Sequence, residues 1–332
     1  MKYFLASSND EGVRLSRFVM RVTHHLPTSL LYKSFRNKRI KLNGKKAAPD
    51  ERLHAGDRIE LYINDEFFSA LPQPPSSPSI VSPKTSALPP IIFEDQNLVI
   101  FDKPCGLLCH SDHTGDQDLA SLFQHYLIQK NEFDPAGANG FSPALCNRLD
   151  RGTQGLVIAA KNYPSLRDMN ELIRTGGVTK QYLCVVKGKP QNDIYTAYWQ
   201  RPAECKRVKI SASAQPGYTS IKTGVTVLDS RGGLSLVKVT LYTGKTHQIR
   251  AHLAFLGHPL AGDQKYGDPA LNAVMGLKNQ LLCAYRLSFA QIPASSSLSY
   301  LKGKTFLAPK PYPASFFESL ATSGKKTSSA SD

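Results

Sequence analysis

A run of proline and serine divides this chain before any other signal does. Residues 67–90 hold seven of the 22 prolines, mixed with serine and glutamine. Such a stretch cannot bury enough apolar surface to offset its own ordering, and proline keeps it stiff and extended. It reads as a tether, so the segments on its two sides must fold as separate units. The expected organisation is a small unit over 1–66, a linker over 67–90, a large unit over 91–320 and a frayed polar tail over 321–332.

The small unit is basic. Leu15, Phe18, Val19 and Val22 recur at helical spacing, with Arg14, Arg17 and Arg21 on another face. A second helical stretch follows Pro27-Thr28-Ser29, with Leu30, Leu31 and Phe35 apolar and Lys33, Arg36, Lys38 and Arg39 crowded at its far end. Ile40-Lys41-Leu42 followed by Asn43-Gly44 predicts a tight hairpin, because Asn-Gly accepts the positive φ that such a turn demands. Ile59, Leu61 and Ile63 then alternate as in a strand with one buried face. From Arg14 to Arg58 the chain has twelve Lys and Arg against three Asp and Glu, so nine of its fifteen net positive charges lie here. Ordinary surfaces mix both signs, and this concentration favours an anionic partner such as nucleic acid or a membrane surface. No apolar run approaches the roughly 20 residues needed to cross a bilayer. The opening residues, Met1 to Leu5, are too short and soon too polar for a signal peptide, so a cytoplasmic location is expected.

In the large unit, Ile91-Ile92-Phe93 and Leu98 to Phe101 read as strands, and Lys103-Pro104-Cys105-Gly106 ends the second. Helical patterns run over 117–130 and from Tyr163 to Arg174, the latter stopped by Gly176-Gly177. Lys180 to Val186 is an apolar strand with Tyr182 near its start. Tyr195, Tyr198 and Trp199 lie close to Arg201, Lys206, Arg207 and Lys209, a mixture that fits either stacking on bases or an ordinary solvated hairpin. Leu234 to Leu241 forms a strand that delivers Thr243-Gly244-Lys245-Thr246-His247-Gln248-Ile249-Arg250, helical from Thr246. A helix start with free N–H groups and Lys245 beside it is a natural place for a phosphate. His247 and His252 do not share a helical face, which disfavours a zinc pair. The six cysteines lack the spacing of a disulfide framework, and reduced, mostly buried thiols are expected. Cys105, Cys109, His110 and His113 form one tempting cluster, but no second ligand pair follows it, so no metal is expected.

Between these elements runs Asn147-Arg148-Leu149-Asp150-Arg151-Gly152-Thr153-Gln154-Gly155, leading into the apolar Leu156 to Ala160. The pattern is an irregular loop feeding a buried strand, and it sets Asp150 at the rim of a core between two arginines. Nearby positive charge favours the ionised form of a carboxylate, which makes Asp150 a candidate nucleophile. The same stretch also reads as a structural Arg–Asp pair pinning a loop, and alone it favours that reading.

Several separate segments, in order, resemble the RluA-type pseudouridine synthases that act on ribosomal RNA. They are Lys103-Pro104 with Gly106, the loop from Asn147 to Leu156, Lys180 with Tyr182, Thr243 to Arg250, His258-Pro259, Gly262-Asp263 and Tyr266-Gly267. The departures are Asn147 where histidine is usual, Gln154 where serine or a small residue is usual, and Lys245 where arginine is usual. Arg14-Leu15-Ser16, Ser29, Arg39 through Gly44 and Gly56-Asp57 resemble the S4-type RNA-binding domain. The two resemblances imply an α+β catalytic domain, a largely antiparallel mixed sheet flanked by helices, joined to a small α/β S4-type domain.

The implied reaction breaks the bond between uracil and the sugar C1′, rotates the base and rejoins it through carbon. Nothing is oxidised and no group is imported, so no cofactor is expected. By resemblance Asp150 is the nucleophile, and Arg250 pairs with it in preference to the adjacent Arg148 or Arg151. Tyr182 stacks on the uracil and helps remove the proton left on carbon. The family leaves two routes open, addition to the ring and formation of a glycal. A uridine within a helix must be flipped out, at a cost of about a few kcal/mol. Arg148 is a candidate for filling the gap or holding the flipped backbone, Lys245 and His247 for contacting phosphate. Arg14, Arg17, Arg21, Lys33, Arg36, Lys38, Arg39 and Lys41 are candidates for gripping RNA. The expected partner is 23S-type ribosomal RNA, and a monomer is expected. The competing readings are an inactive rRNA-binding or ribosome-assembly factor, and a synthase acting on tRNA.

Overall fold

The computed structural model describes all residues except 24, 69–86, 113, 136–138, 140, 203, 204, 206 and 324–332. Most of the expected linker and tail, with His113 and Lys206, therefore lies outside the described residues. The small unit is built from β1 (Lys2–Leu5), α1 (Leu15–Val22), α2 (Thr28–Arg36), β2 (Ile40–Leu42), β3 (Lys45–Lys46) and β4 (Arg58–Leu61). Its strands form one antiparallel sheet in the order β1-β4-β2-β3. Asn43 and Gly44 both have positive φ, 51° and 76°, so the hairpin turn takes the form its residues favour. The apolar stripes of α1 and α2 close over this sheet around Phe18, Leu31, Phe35, Ile40 and Ile59. Phe67 and Phe68, assigned to the tether by composition, instead pack against this core.

The large unit continues through β5 (Ile91–Glu94), β6 (Leu98–Lys103), α3 (Leu119–Gln129), β7 (Ala144–Leu145), β8 (Gln154–Ala160), α4 (Tyr163–Thr175), β9 (Val178–Lys187) and β10 (Asp193–Gln200). Then come β11 (Lys209–Ser211), β12 (Thr219–Arg231), β13 (Leu234–Leu241), α5 (Gln248–Phe255), α6 (Pro269–Val274), β14 (Leu282–Phe289), β15 (Thr305–Leu307) and α7 (Tyr312–Ser323). The strands form one sheet of eleven, ordered β11-β10-β12-β13-β9-β14-β8-β6-β5, with β15 and β7 pairing at its sides. The pairings are antiparallel except that of β14 with β8. The expected mixed, largely antiparallel sheet is what forms.

Strand periodicity explains how this sheet places the site. In β6 and β8 every side chain but the first of β8 is buried, so both faces are covered. Val99, Phe101, Val157 and Ala159 face one core, which α3 and α5 close with Phe123, Leu127, Ile249 and Leu253. Leu98, Ile100, Leu156 and Ile158 face the other, closed by Met169 and Leu172 of α4 and by Leu298 and Leu301. Tyr182 of β9 points into the first core, the face on which α5 lies. The C-terminal helix α7 buries Phe317 against Val185, Leu234 and Leu281, and it runs on through Ser323 into the stretch read as tail.

The two units touch one another directly. Arg21 pairs with the buried Asp10, and its Nε donates to the Asn139 carbonyl at 2.6 Å. The Asn139 amide donates to the Leu5 carbonyl at 2.8 Å and to Asp10 Oδ2 at 2.9 Å. At the start of α4 the Tyr163 N–H donates to Asn9 Oδ1.

Candidate active site

The loop carrying Asp150 is fixed from several sides. Asn147, between β7 and β8, accepts the Ile158 N–H at 2.8 Å and donates to the Leu156 carbonyl at 3.3 Å, so its amide serves the β8 backbone. Lys103 at the end of β6 is wholly buried, and its ammonium donates to the carbonyls of Pro104, Leu107 and Arg151. Burial pushes the Lys103 ammonium below its ordinary range, and nearby Asp150 acts in the opposite direction. The Leu149 N–H rests on Cys109 Sγ, and Gln280 donates to the Thr153 hydroxyl at 3.0 Å. Gly155, with φ of 118°, allows β8 to approach β14 closely, since a Cβ there would stand 2.3 Å from the Ala284 carbonyl oxygen.

Arg250, on α5, meets this loop. Its Nη1 donates to Asp150 Oδ2 at 2.6 Å across a hundred residues of sequence. Its Nε and Nη2 form a fork on Asp263, at 2.7 and 2.8 Å. Burial alone would raise the Asp263 carboxyl, but the Arg250 guanidinium and the N–H groups of Lys265 and Tyr266 outweigh it and hold it below the usual range. Burial likewise opposes the Arg250 charge, and the two carboxylates reverse the balance and raise its pKa. The result is a permanent cation beside Asp150. Arg151 turns away to Asp116 at 2.8 Å, and Arg148 is exposed at the pocket rim.

A small pocket of about 70 Å³ is lined by Asp150, Tyr182, Leu241, Ile249, Leu282 and their neighbours. Asp150 also lines a wider cleft of about 440 Å³ with His110, Lys265, Lys278 and Gln280. The carboxylate thus stands where a recess with an apolar wall of Tyr182, Leu241, Ile249 and Leu282 meets a polar, cationic opening. Tyr182 is 7% exposed. Burial, with Asp150 adding to it, drives its phenol pKa up, so the hydroxyl stays protonated and the ring serves as an apolar wall.

Not every residue singled out from sequence gathers here. Asp150, Tyr182, Arg250, Arg148, Lys245 and His247 all line the small pocket. His247 lies deeper than a phosphate contact requires: its Nε2 is 3.8 Å from Asp150 Oδ2 and its Nδ1 is 2.9 Å from the Tyr266 hydroxyl. Lys245 Nζ lies over the Trp199 ring at 5.8 Å. In the small unit Arg14, Arg17, Lys33, Arg36, Lys38 and Arg39 are exposed, while Lys41 lies over Tyr62 at 5.2 Å and Arg21 turns inward to Asp10. Tyr32, exposed between these cations on α2, had no helical-stripe signal to mark it. Asp263 and Tyr266 were visible only as parts of a motif, and nothing in the sequence tied them to Asp150. Cys109, Cys184 and Cys283 are buried, while Cys105 and Cys205, both in loops, are exposed. Among the described residues no three His, Cys, Asp or Glu gather as metal ligands. No helix among them is long and apolar enough to cross a membrane.

Comparison with known proteins agrees with this fold. The RNA pseudouridylate synthase family matches residues 97–255, which span Asp150, Tyr182 and Arg250. An uncharacterised RNA pseudouridine synthase of Mycoplasma pneumoniae is 32% identical over 323 residues, covering 92% of this chain and 95% of that protein. The ribosomal large subunit pseudouridine synthase C of Salmonella typhimurium is 29% identical, covering 87% of this chain and 88% of that one. Human RNA pseudouridylate synthase domain containing 4 shares the fold, with a TM-score of 0.52 at 23% identity over 67% of this chain and 88% of its own. The chain belongs to the RNA pseudouridine synthase family, in its RluA-type branch.

Proposed function

We propose that this protein isomerises specific uridines of large-subunit ribosomal RNA to pseudouridine, with Asp150 as the nucleophile and the N-terminal basic unit acting as an S4-type RNA-binding domain. The observation that carries the reading is the Asp150–Arg250 pair at 2.6 Å in a pocket walled by Tyr182. The reaction needs an ionised carboxylate, a recess for a flipped pyrimidine and nothing imported. Asp150 attacks the sugar or the ring, Arg250 balances its charge, and Tyr182 stacks on the uracil. Arg148, at the rim, takes the space the flipped base vacates or holds its backbone. Lys245 and the cations of the wider cleft, Lys265 and Lys278, face the phosphates. The large-subunit assignment is supported by relatives named for that substrate, which align over most of their length.

The test incubates the wild type and Asp150→Ala with ribosomal RNA from a strain lacking the gene, and separately with its tRNA, then maps pseudouridine. The wild type is expected to modify discrete sites in the large-subunit RNA, and Asp150→Ala none. Equal activity in the variant would remove Asp150 from the chemistry. Modification confined to tRNA would replace the substrate.

A further inference from the structure

Among the site's described non-glycine residues, His247 alone has a positive φ, 55°. An L side chain adopts this left-handed conformation uncommonly. Contacts hold it from both sides. Trp199 of β10 donates its indole N–H to the Thr246 carbonyl at 3.0 Å, and the Tyr266 hydroxyl meets His247 Nδ1 at 2.9 Å. That hydroxyl already accepts the Val208 N–H at 3.0 Å, just before β11, which leaves its proton available for the imidazole. The other ring nitrogen, Nε2, faces Asp150 Oδ2, the same oxygen that Arg250 holds. Asp150 Oδ1 takes no hydrogen bond from any described residue.

We propose that Tyr266 is a positioning residue for the isomerisation. By donating its hydroxyl proton to His247 Nδ1, it holds His247 as the Nε2–H tautomer and turns that N–H toward Asp150. A neutral imidazole carries one N–H, and the bond made by one nitrogen decides which nitrogen bears it. Burial lowers the imidazole pKa, Arg250 and Lys265 push it the same way, and Asp150 and Asp263 oppose them, leaving the ring neutral at pH 7. That N–H then faces Oδ2 from 3.8 Å, beside the Arg250 hydrogen bond, and Oδ1 is left to face the substrate. A preorganised N–H beside the carboxylate stabilises its charge each time the reaction restores it.

This inference rests on Asp150 as the nucleophile, so Asp150→Ala is assayed alongside. Tyr266→Phe keeps the ring beneath the Arg250 guanidinium, 5.4 Å away, and removes the hydroxyl alone. On large-subunit ribosomal RNA lacking the modification, Tyr266→Phe is expected to lower kcat at least tenfold with KM changed less than twofold. In a His247→Gln background, whose amide supplies its own N–H, the same change is expected to cost less than twofold. Nitrogen-15 spectra of the imidazole should show the Nε2–H tautomer in the wild type and a mixture in Tyr266→Phe. An Nδ1–H tautomer in the wild type, full activity in Tyr266→Phe, or an equal loss in both backgrounds would overturn the role. Residual activity in Asp150→Ala would instead overturn the nucleophile, and the positioning role with it.

Discussion

Arg250 divides its guanidinium between two carboxylates, and the division suits the role proposed for Asp150. Taking an ion out of water costs several kcal/mol, repaid only by close geometry and fully used hydrogen bonds. Asp263 meets both conditions, since it takes the Arg250 fork and two backbone N–H groups as well. In the role proposed for it, Asp150 can therefore leave Nη1 without stranding a buried cation. Two residues further along α5, His252 is buried against the Thr223 hydroxyl at 3.0 Å, and burial pushes its pKa down to about 4. A proton on it is disfavoured in the folded state. The stability this contributes is complete above pH ~6.5, the unfolded value, and is lost as pH falls toward the folded one. Between pH 7 and pH 4.5 the wild type is expected to lose roughly 2–3 kcal/mol that His252→Gln does not lose. Urea unfolding at the two pH values checks this, and equal losses would contradict it.

At the scale of elements, the departures from the family pattern acquire local reasons. Asn147 spends its amide on the backbone of β8, so it braces the loop instead of facing substrate. Gln154, the first residue of β8, donates to the Lys310 carbonyl at 3.1 Å and accepts the Tyr312 N–H at 3.0 Å. It thereby ties the start of α7 to the strand that follows the loop carrying Asp150. Gln154→Ala is expected to destabilise the fold by about 1–2 kcal/mol, the worth of two such bonds, measured as a lower urea midpoint. An unchanged midpoint would deny the tie any weight. Helices α1 to α4 and strands β6, β8, β9 and β13 were legible from periodicity, because each buries a regular stripe or a continuous run. Helix α7 was not: its aromatic pair, Phe316 and Phe317, sits in a polar, proline-flanked stretch with a weak stripe. The edge strand β1 was missed for a related reason, since Lys2, Tyr3 and Leu5 are exposed and show no alternation.

Over the whole molecule, charge and docking divide the small unit's arginines. Arg21 joins Asp10 and Asn139 at the contact with the large unit, while Lys33, Arg36 and Lys38 project from the end of α2 into solvent. Replacing those three by alanine is expected to weaken RNA binding and to flatten the slope of log affinity against log salt by roughly 2, since fewer phosphate contacts release fewer counterions. A slope equal to that of the wild type would remove this face from the RNA interface.

The sequence by itself determined the concentration of positive charge, most helices and central strands, and Asp150 as the residue to watch. These follow from composition and short-range periodicity, which act over a few residues. It left open whether Asp150 was a structural ion pair with its neighbours, because adjacent arginines are indistinguishable from distant ones in a linear pattern. Tertiary structure decided that. The alternating faces of β8 and β9 and the crossing of α5 bring Arg250, Tyr182 and Asp263 to one end of one core. Arg151 turns away to Asp116, and the left-handed turn at His247 sets its imidazole between the Tyr266 hydroxyl and the same carboxylate.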